Sequence, residues 1–327
     1  MHKQEILQSG IRLVGGVQDL LVCPICKNKL KLLNEGLLCA DSNCGALFPF
    51  VNGIPILLNE QSSLFSIDDF LAQRRTTFNL RESKFKKTAR RVVPSISKNI
   101  KGESNNRKFV ELLLAQSSAP TVLVIGAGPS GAGMEFLSPY PSIEQVVTDV
   151  SFGSGIGLIC DAHDIPFADG SFDAVIVHAV LEHVVDPHRC VEEIHRVLKK
   201  QGVVYADTPF MQQVHGRQYD FERFTYLGHR RLFRRFEEVD SGASCGPGMA
   251  LAWAYSYFLM SFTETKLLRH LIWAFSSMTS FYLKYFDHLL IDKPGTLDAA
   301  SGYYFIGRKS DSVLSDRELV NLYKGAI

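Results

Sequence analysis

Two cysteine pairs stand near the start of the chain. Cys23 and Cys26 form C-x2-C, and Cys39 and Cys44 form C-x4-C after a spacer of twelve residues. Four thiolates at this spacing can converge on one tetrahedral Zn2+, and four sulfurs leave no open position, so the predicted site is structural. Pro24 and Gly45 suit two tight knuckles with amides pointing at the sulfurs. Reduced, unliganded thiols or a disulfide pair are the alternatives. A second group follows the short apolar run TVLVI, where Gly126, Gly128 and Gly131 make G-x-G-x-x-G. Glycines let the backbone turn sharply and approach a ligand, and a helix N-terminus behind them offers free N–H groups. Asp149 closes the next apolar run, QVVTDV, where a carboxylate can accept hydrogen bonds from ribose hydroxyls. Nicotinamide- and flavin-binding chains share this glycine pattern. A third group lies in PFMQQVHGRQYDFERFT, from which His215, Tyr219, Asp220 and Arg223 are the polar groups expected at the site. His215 titrates near neutrality and is the candidate general base. On a rival reading Asp220 and Arg223 are an ion pair that fixes the loop.

These groups need elements to hold them. Between the cysteine pairs, Leu30, Leu32 and Leu37 alternate around Asn34-Glu35-Gly36, which predicts a hairpin. So small a ribbon has little core, and metal binding would supply much of its folding energy. From Arg74 to Lys108 twelve Lys/Arg face two acids, Glu82 and Glu103. Pro94, Ser95, Ser97 and Gly102 break this basic stretch into helical pieces, and its charge could meet phosphates or simply be a solvated surface. TVLVI, QVVTDV, SFDAVIVH and GVVYADTPF then alternate with helical segments as an α/β pattern, and the loop carrying His215 leaves the fifth strand at the carboxyl edge, where open α/β sheets bind ligands. FEEVDSG and GYYFIGRKS read as the sixth and seventh strands. About sixty residues intervene between them, including MALAWAYSYFLMSF and LIWAFSSMTSFYL. This predicts two apolar helices beside the acceptor pocket, as a lid over a greasy substrate or as a contact with a bilayer interface. Trp253, Tyr255, Tyr257 and Trp273 suit an interfacial position. A helical hairpin packed on the core or on a homodimer partner is the plainer reading. Glu182 and His183 are read as orienting a helix start, His163 and His195 as packing or surface residues, and Cys160, Cys190 and Cys245 as buried thiols.

Length and balance fit this layout. The chain has 327 residues, 35 Lys+Arg against 34 Asp+Glu, and 46% hydrophobic content. That excludes a disordered tail, and seven cysteines in such a length exclude a disulfide scaffold. A formal charge of +1 gives no global pull toward nucleic acid. MHKQEILQSG has no apolar signal region, so the expected location is cytoplasmic, with peripheral membrane contact left open.

The run LICDAHDIPFADGSFDAVIVHAVLEHVVDP resembles the class I S-adenosylmethionine-dependent methyltransferases, in particular the methyltransferase type 11 group. The resemblance covers about residues 121–242. It implies a Rossmann-like sheet in the order 3-2-1-4-5-7-6 and S-adenosylmethionine as cofactor. By the same resemblance Asp161 binds the adenine amino group and Ala162 gives its backbone N–H to the ring. Gly126, Ala127, Gly128, Gly131 and Asp149 line the rest of the cofactor site, and His178 stands at the cofactor-facing end of the fourth strand. P-F-x-x-x-x-H-x-x-x-x-D-F-x-R-F-T resembles a recurrent sequence of the group near glycan and secondary-metabolite pathways, which implies a metabolite acceptor, glycan or lipid-linked. Three positions depart from the pattern: Val124 stands where an acid is usual, few residues separate Asp149 from Asp161, and Lys199-Lys200-Gln201-Gly202 replaces K-P-G-G. The segment with CPIC and FPFVNGIPILL resembles the zinc-ribbon activators that accompany tRNA and protein methyltransferases.

The expected organisation is a zinc ribbon over 1–60, a basic helical connector over 61–105, and a methyltransferase domain over 106–327 with an apolar insertion at about 243–300. An N-terminal cysteine module also resembles the ribosomal RNA guanine-N1 methyltransferases, so RNA is the competing acceptor. A non-catalytic subunit keeping the fold and a nicotinamide enzyme are the other readings.

Overall fold

The computed structural model describes residues 16–74, 92–128, 134–153 and 155–326. Gly131 and most of the basic residues of the connector lie outside the described residues.

The ribbon opens the chain. Strands β1 (Leu30–Leu33), β2 (Gly36–Cys39), β3 (Leu47–Val51) and β4 (Ile54–Leu57) form two antiparallel hairpins. The first turns at Asn34–Glu35, with Leu33 opposite Gly36. Gly36 has to be glycine, because a Cβ there would lie 2.3 Å from the carbonyl oxygen of Phe48 on the next strand.

The main sheet follows: β5 (Thr121–Ile125), β6 (Glu144–Asp149), β7 (Leu158–Cys160), β8 (Phe172–His178), β9 (Leu198–Pro209), β10 (Phe236–Cys245) and β11 (Gly302–Lys309). Its order is β7-β6-β5-β8-β9-β11-β10, with β11 antiparallel to both its neighbours and the other pairings parallel. The sheet does not stop at β7. β4 adds to it in parallel, with Ile56 opposite Ile159 and Leu57 opposite Cys160, so the ribbon hairpins extend one eleven-stranded sheet. Apolar packing is continuous across this join: Val17, Leu21, Cys39 and Phe48 share a buried cluster with Ile165, Phe167 and Phe172.

Helices cover the sheet. α1 (Ile67–Leu71) is capped by the Ser66 hydroxyl, and α2 (Gly102–Leu114) buries Phe109, Val110 and Leu113. α3 (Pro187–Val197) starts where the D-P pair dictates: the Asp186 carboxylate accepts from the Arg189 amide, and Pro187 occupies a first-turn position that needs no N–H. α4 (Tyr226–Leu232) is capped by Thr225. No helix lies between β6 and β7 among the described residues, so the chain crosses there as a loop.

Between β10 and β11 the insertion forms four helical segments rather than two: α5 (Pro247–Met260), α6 (Lys266–Ser280), α7 (Leu283–Leu290) and α8 (Thr296–Ala299). The buried Asp287 carboxylate accepts the Gly248 and Met249 amides at 2.7 and 2.9 Å, closing the N-terminus of α5. Small residues join α5 to α6 through Ser256 and Ser276, whose hydroxyls are 2.8 Å apart. A row of large apolar side chains stays exposed on the outer side, among them Phe258, Phe262, Leu267, Leu271, Phe275 and Leu289. α9 (Asp316–Val320) closes the chain with a Ser315–Glu318 capping box. No helix among the described residues is long and apolar enough to cross a membrane.

Candidate active site

Chain alternation decides which side chains meet at the carboxyl edge of the sheet. In β5, Leu123 and Ile125 face one cluster while Val122 and Val124 face the other. On the Ile125 side the strand runs into Gly126 and Gly128, with φ of +68° and +71°. A Cβ on Gly126 would lie 2.3 Å from Cγ2 of Val180, so only glycine makes this bend. The bend opens a cavity of about 220 Å³. Gly126, Gly128, Asp149, Asp161, Ala162, Val180 and His183 line it, with apolar walls from Ile125, Val150, Val184, Leu64 and Phe65.

Both acids are held by neighbours. Asp149 Oδ2 accepts the Gly128 amide at 2.7 Å. Burial pushes its pKa up to about 6 against the lowering effect of that bond. Asp161 is differently placed: burial would raise its pKa, but His163 and then Ser63 outweigh it and hold the carboxyl below the ordinary range. His163 Nδ1 lies 2.5 Å from Asp161 Oδ1, and the Asp186 amide donates to His163 Nε2 at 3.0 Å. The Asp186 amide takes the Nε2 lone pair, so the hydrogen on Nδ1 faces Asp161, and His163 is a buried packing residue that positions that acid. Ser63 Oγ donates to Asp161 Oδ2 at 2.6 Å. Asn59 and Ser62 bond the neighbouring Asp164. The segment leaving β4 thus builds one wall of the cavity, and no sequence signal marked it.

His178 does not line the cavity. It has the parity of Ile176, which faces the other cluster, so its ring packs edge-on against Tyr205 at 4.2 Å. Burial pushes its pKa down to about 4, and its Nε2 has no hydrogen-bond partner among the described residues. The expectation that His178 faces the cofactor is corrected by this alternation. Close by, the half-buried Asp207 carboxyl takes hydrogen bonds from Ser244 and Asn99 at 3.0 and 3.1 Å, and desolvation raises its pKa to about 7. The end of the connector is therefore packed on the sheet edge through Asn99, not a free linker.

The loop after β9 returns over the rim. Tyr219 stacks on Phe65 with ring centroids 5.6 Å apart. The Asp220 side chain is only 2% exposed and its carboxylate accepts the amides of His215 and Gly216 at 2.8 and 2.9 Å. Arg223 adds contacts of 2.5 and 3.0 Å, one to each oxygen. Burial opposes the charge on Asp220, yet Arg223 and the two amides hold its carboxyl far below the usual range. This is a clasp that shapes the loop. His215 is carried by it to within 3.7 Å of Glu182, and its ring lies 4.9 Å from that of His183. Burial disfavours the charged ring, but Glu182 and Asp220 outweigh it and raise the His215 pKa. His183 lines the cavity, and Glu182 is buried next to both rings.

The insertion meets the same loop. Tyr257 Oη donates to the Val214 carbonyl at 2.9 Å, and Trp253 Nε1 donates to Ser97 Oγ at 3.0 Å. A second cavity, about 560 Å³, lies there between residues 93–97 and α5–α6, lined by Trp253, Tyr257, Met260, Arg269 and Trp273. Trp253, Tyr257 and Trp273 line this cavity.

At the ribbon, the four sulfurs lie within 4.8 Å of one another, with Cys26 and Cys39 3.3 Å apart and Cys23 and Cys44 3.8 Å apart. Sulfurs about 2.3 Å from one tetrahedral ion would be about 3.8 Å apart. The amides of Ile25 and Cys26 point at the Cys23 sulfur, and those of Asn28 and Asp41 at Cys26 and Cys39. The cluster is compatible with zinc.

Comparison with known proteins adds sequence to this geometry. Residues 130–206 match the family described as methyltransferase domain. A ubiquinone/menaquinone biosynthesis C-methyltransferase UbiE of Desulfotalea psychrophila is 31% identical over 151 residues, 42% of this chain and 60% of that protein. A demethylmenaquinone methyltransferase of Thermotoga maritima is 27% identical over 134 residues, 37% of this chain and 58% of that one. The chain thus spans about three fifths of the length of these relatives. Among solved structures, Haemonchus contortus phosphoethanolamine N-methyltransferase 2 in complex with S-adenosyl-L-methionine superposes with a TM-score of 0.44 at 16% identity, covering 80% of this chain and 62% of that one. Residues 130–206 are thus similar in sequence to methyltransferase domains.

Proposed function

We propose that the protein transfers a methyl group from S-adenosylmethionine to a small or lipid-linked metabolite. One observation carries this reading: Asp149 and Asp161 line one cavity with the glycine bend at Gly126 and Gly128. The cavity suits an adenosine, with a carboxylate for the ribose hydroxyls at Asp149, a second acid for the adenine amino group at Asp161, and apolar walls between them. Bound there, S-adenosylmethionine supplies an already activated methyl group, so alignment and exclusion of water do most of the work. Phe65 and Tyr219 close the rim against water, and the Asp220–Arg223 clasp fixes the loop on the acceptor side. Where the acceptor is a hydroxyl, its proton has to leave. The polar groups at hand are Glu182, His183 and His215.

The acceptor reading rests on the second cavity, whose Trp253, Trp273 and Met260 suit an apolar body and whose Arg269 suits an anionic group. The exposed apolar row on α5–α7 supports a peripheral contact with a lipid surface, from which a lipid-linked acceptor would enter. We also propose Zn2+ as the ion held by Cys23, Cys26, Cys39 and Cys44, with a structural role. RNA remains the competing acceptor through the basic connector.

Calorimetry with S-adenosylmethionine and with its demethylated product tests the reading directly. Asp149→Ala should abolish measurable cofactor binding, and His215→Ala should leave binding intact while turnover falls. Wild-type protein that binds neither compound overturns the proposal. A steep fall of RNA affinity with salt would favour the competing acceptor.

A further inference from the structure

The turn after β8 and the loop after β9 bring three metal-ligating side chains to one point. Glu182 Oε1 lies 3.7 Å from Nε2 of His183 and 3.7 Å from Nε2 of His215. One ligating atom from each of the three residues falls within 4.8 Å of the others. Two ligands about 2.1 Å from one ion stand about 3.0–3.4 Å apart, so a few tenths of an ångström of closure would bring each Glu182–histidine pair to ligating distance.

The two imidazoles are already turned for this. His183 Nδ1 lies 2.6 Å from the Tyr219 carbonyl oxygen, and His215 Nδ1 lies 3.2 Å from that of Gln213. A carbonyl oxygen only accepts, so Nδ1 of His183 carries the hydrogen and its Nε2, on the Glu182 side, is the basic nitrogen of the neutral form; at His215 the Gln213 carbonyl is closer to Nδ1 than the Arg223 guanidinium at 3.5 Å, which can only donate. An imidazole that donates its far N–H to a carbonyl is oriented as metal-bound histidines are. Gly216 permits the closeness, because a Cβ there would lie 2.5 Å from the His183 ring.

Glu182 is the second, independent observation. It is 0% exposed, and neither carboxylate oxygen has a hydrogen-bond partner among the described residues. A buried charged carboxylate needs a cation close by, and the two that this pocket offers are an imidazolium of His183 or His215 and a bound metal ion.

We propose that Glu182, His183 and His215 bind one divalent transition-metal ion. Two nitrogens and one carboxylate form a borderline donor set suited to Zn2+, Mn2+, Fe2+ or Co2+, and three protein ligands leave positions open for an oxygen donor. His183 also lines the nucleotide cavity, so those positions adjoin the cofactor. Resting on the methyl-transfer reading, the ligand they would take is an acceptor hydroxyl, whose acidity the ion would raise.

The test uses the full chain and Mn2+ as probe, because Mn2+ does not compete for a four-thiolate site. Electron paramagnetic resonance titration should show one bound Mn2+ in the wild type. Glu182→Gln and His215→Ala should each weaken it at least tenfold, with unchanged zinc content at the cysteines. Co2+ added to zinc-loaded wild type should give nitrogen/oxygen ligand-field bands without sulfur charge transfer, a readout that needs no variant to fold. Wild-type protein that binds neither ion, or Glu182→Gln that binds Mn2+ as tightly as wild type, overturns the site. Cofactor calorimetry on the same samples reports separately on the methyl-transfer reading.

Discussion

Ser63, just beyond the last ribbon strand, donates a 2.6 Å hydrogen bond to Asp161, the acid at the far end of the nucleotide cavity. The cysteine ribbon and the cofactor pocket are therefore one mechanical unit. A hydrogen bond to a charged acceptor contributes about 1.5–3 kcal/mol. Ser63→Ala should weaken S-adenosylmethionine binding roughly tenfold by calorimetry, and stripping the cysteines with a chelator should weaken it further. An unchanged affinity in both cases would show that the pocket keeps its shape without the ribbon.

Asp149 sets a conflict between stability and binding. Its folded pKa is raised to about 6 by burial, from an ordinary value of 3.8. A raised folded pKa means stabilisation that is complete below the unfolded pKa and lost as pH climbs through about 6. Without ligand, Asp149→Asn should thus melt higher than wild type at pH 7.5, by a few degrees, while the two converge near pH 4. Cofactor affinity of the wild type should rise through the same pH window, because the ionised carboxylate is the better acceptor for ribose hydroxyls. Thermal melts and calorimetry from pH 4.5 to 8 read both effects.

Gly126 holds a φ of +68° with Val180 against its missing Cβ. Gly126→Ala must move one or the other, and Val180 lines the cavity. Loss of cofactor binding by more than tenfold, with a cooperative thermal melt retained, is the expected result.

The Asp220–Arg223 pair shapes the acceptor loop without lining the nucleotide cavity. Removing Asp220 takes the acceptor from two loop amides and from the partly buried Arg223. Asp220→Ala should lower turnover strongly and leave cofactor affinity within about twofold. Arg223→Lys should not rescue, because an ammonium cannot span both oxygens.

Much of this site was legible before any coordinates. The glycine bend, Asp149 and Asp161 could be located because each sits at a fixed offset from an apolar strand, and a strand end fixes where a side chain goes. His178 went astray because the same period of two that places Ile125 in the cavity wall sends residue 178 to the opposite face. Glu182 and His183 looked like helix-start residues, since only the return of the loop at residues 211–223 brings His215 against them. Ser63 and Phe65 carried no motif, and their place depends on β4 pairing with β7, a contact across about a hundred residues of chain. In the insertion the apolar composition was plain, but its split into four helical segments depends on where Asp287 closes α5.

The pairing of β4 with β7 also settles what happens at the flank of the molecule. Without the N-terminal hairpins, β7 would present a bare row of amides and carbonyls flanked by Leu158 and Ile159, a template for other chains. The ribbon is thus a guard against self-association as much as a pocket wall. A shortened chain that begins after it should aggregate at concentrations where the full protein stays dispersed, which light scattering can follow.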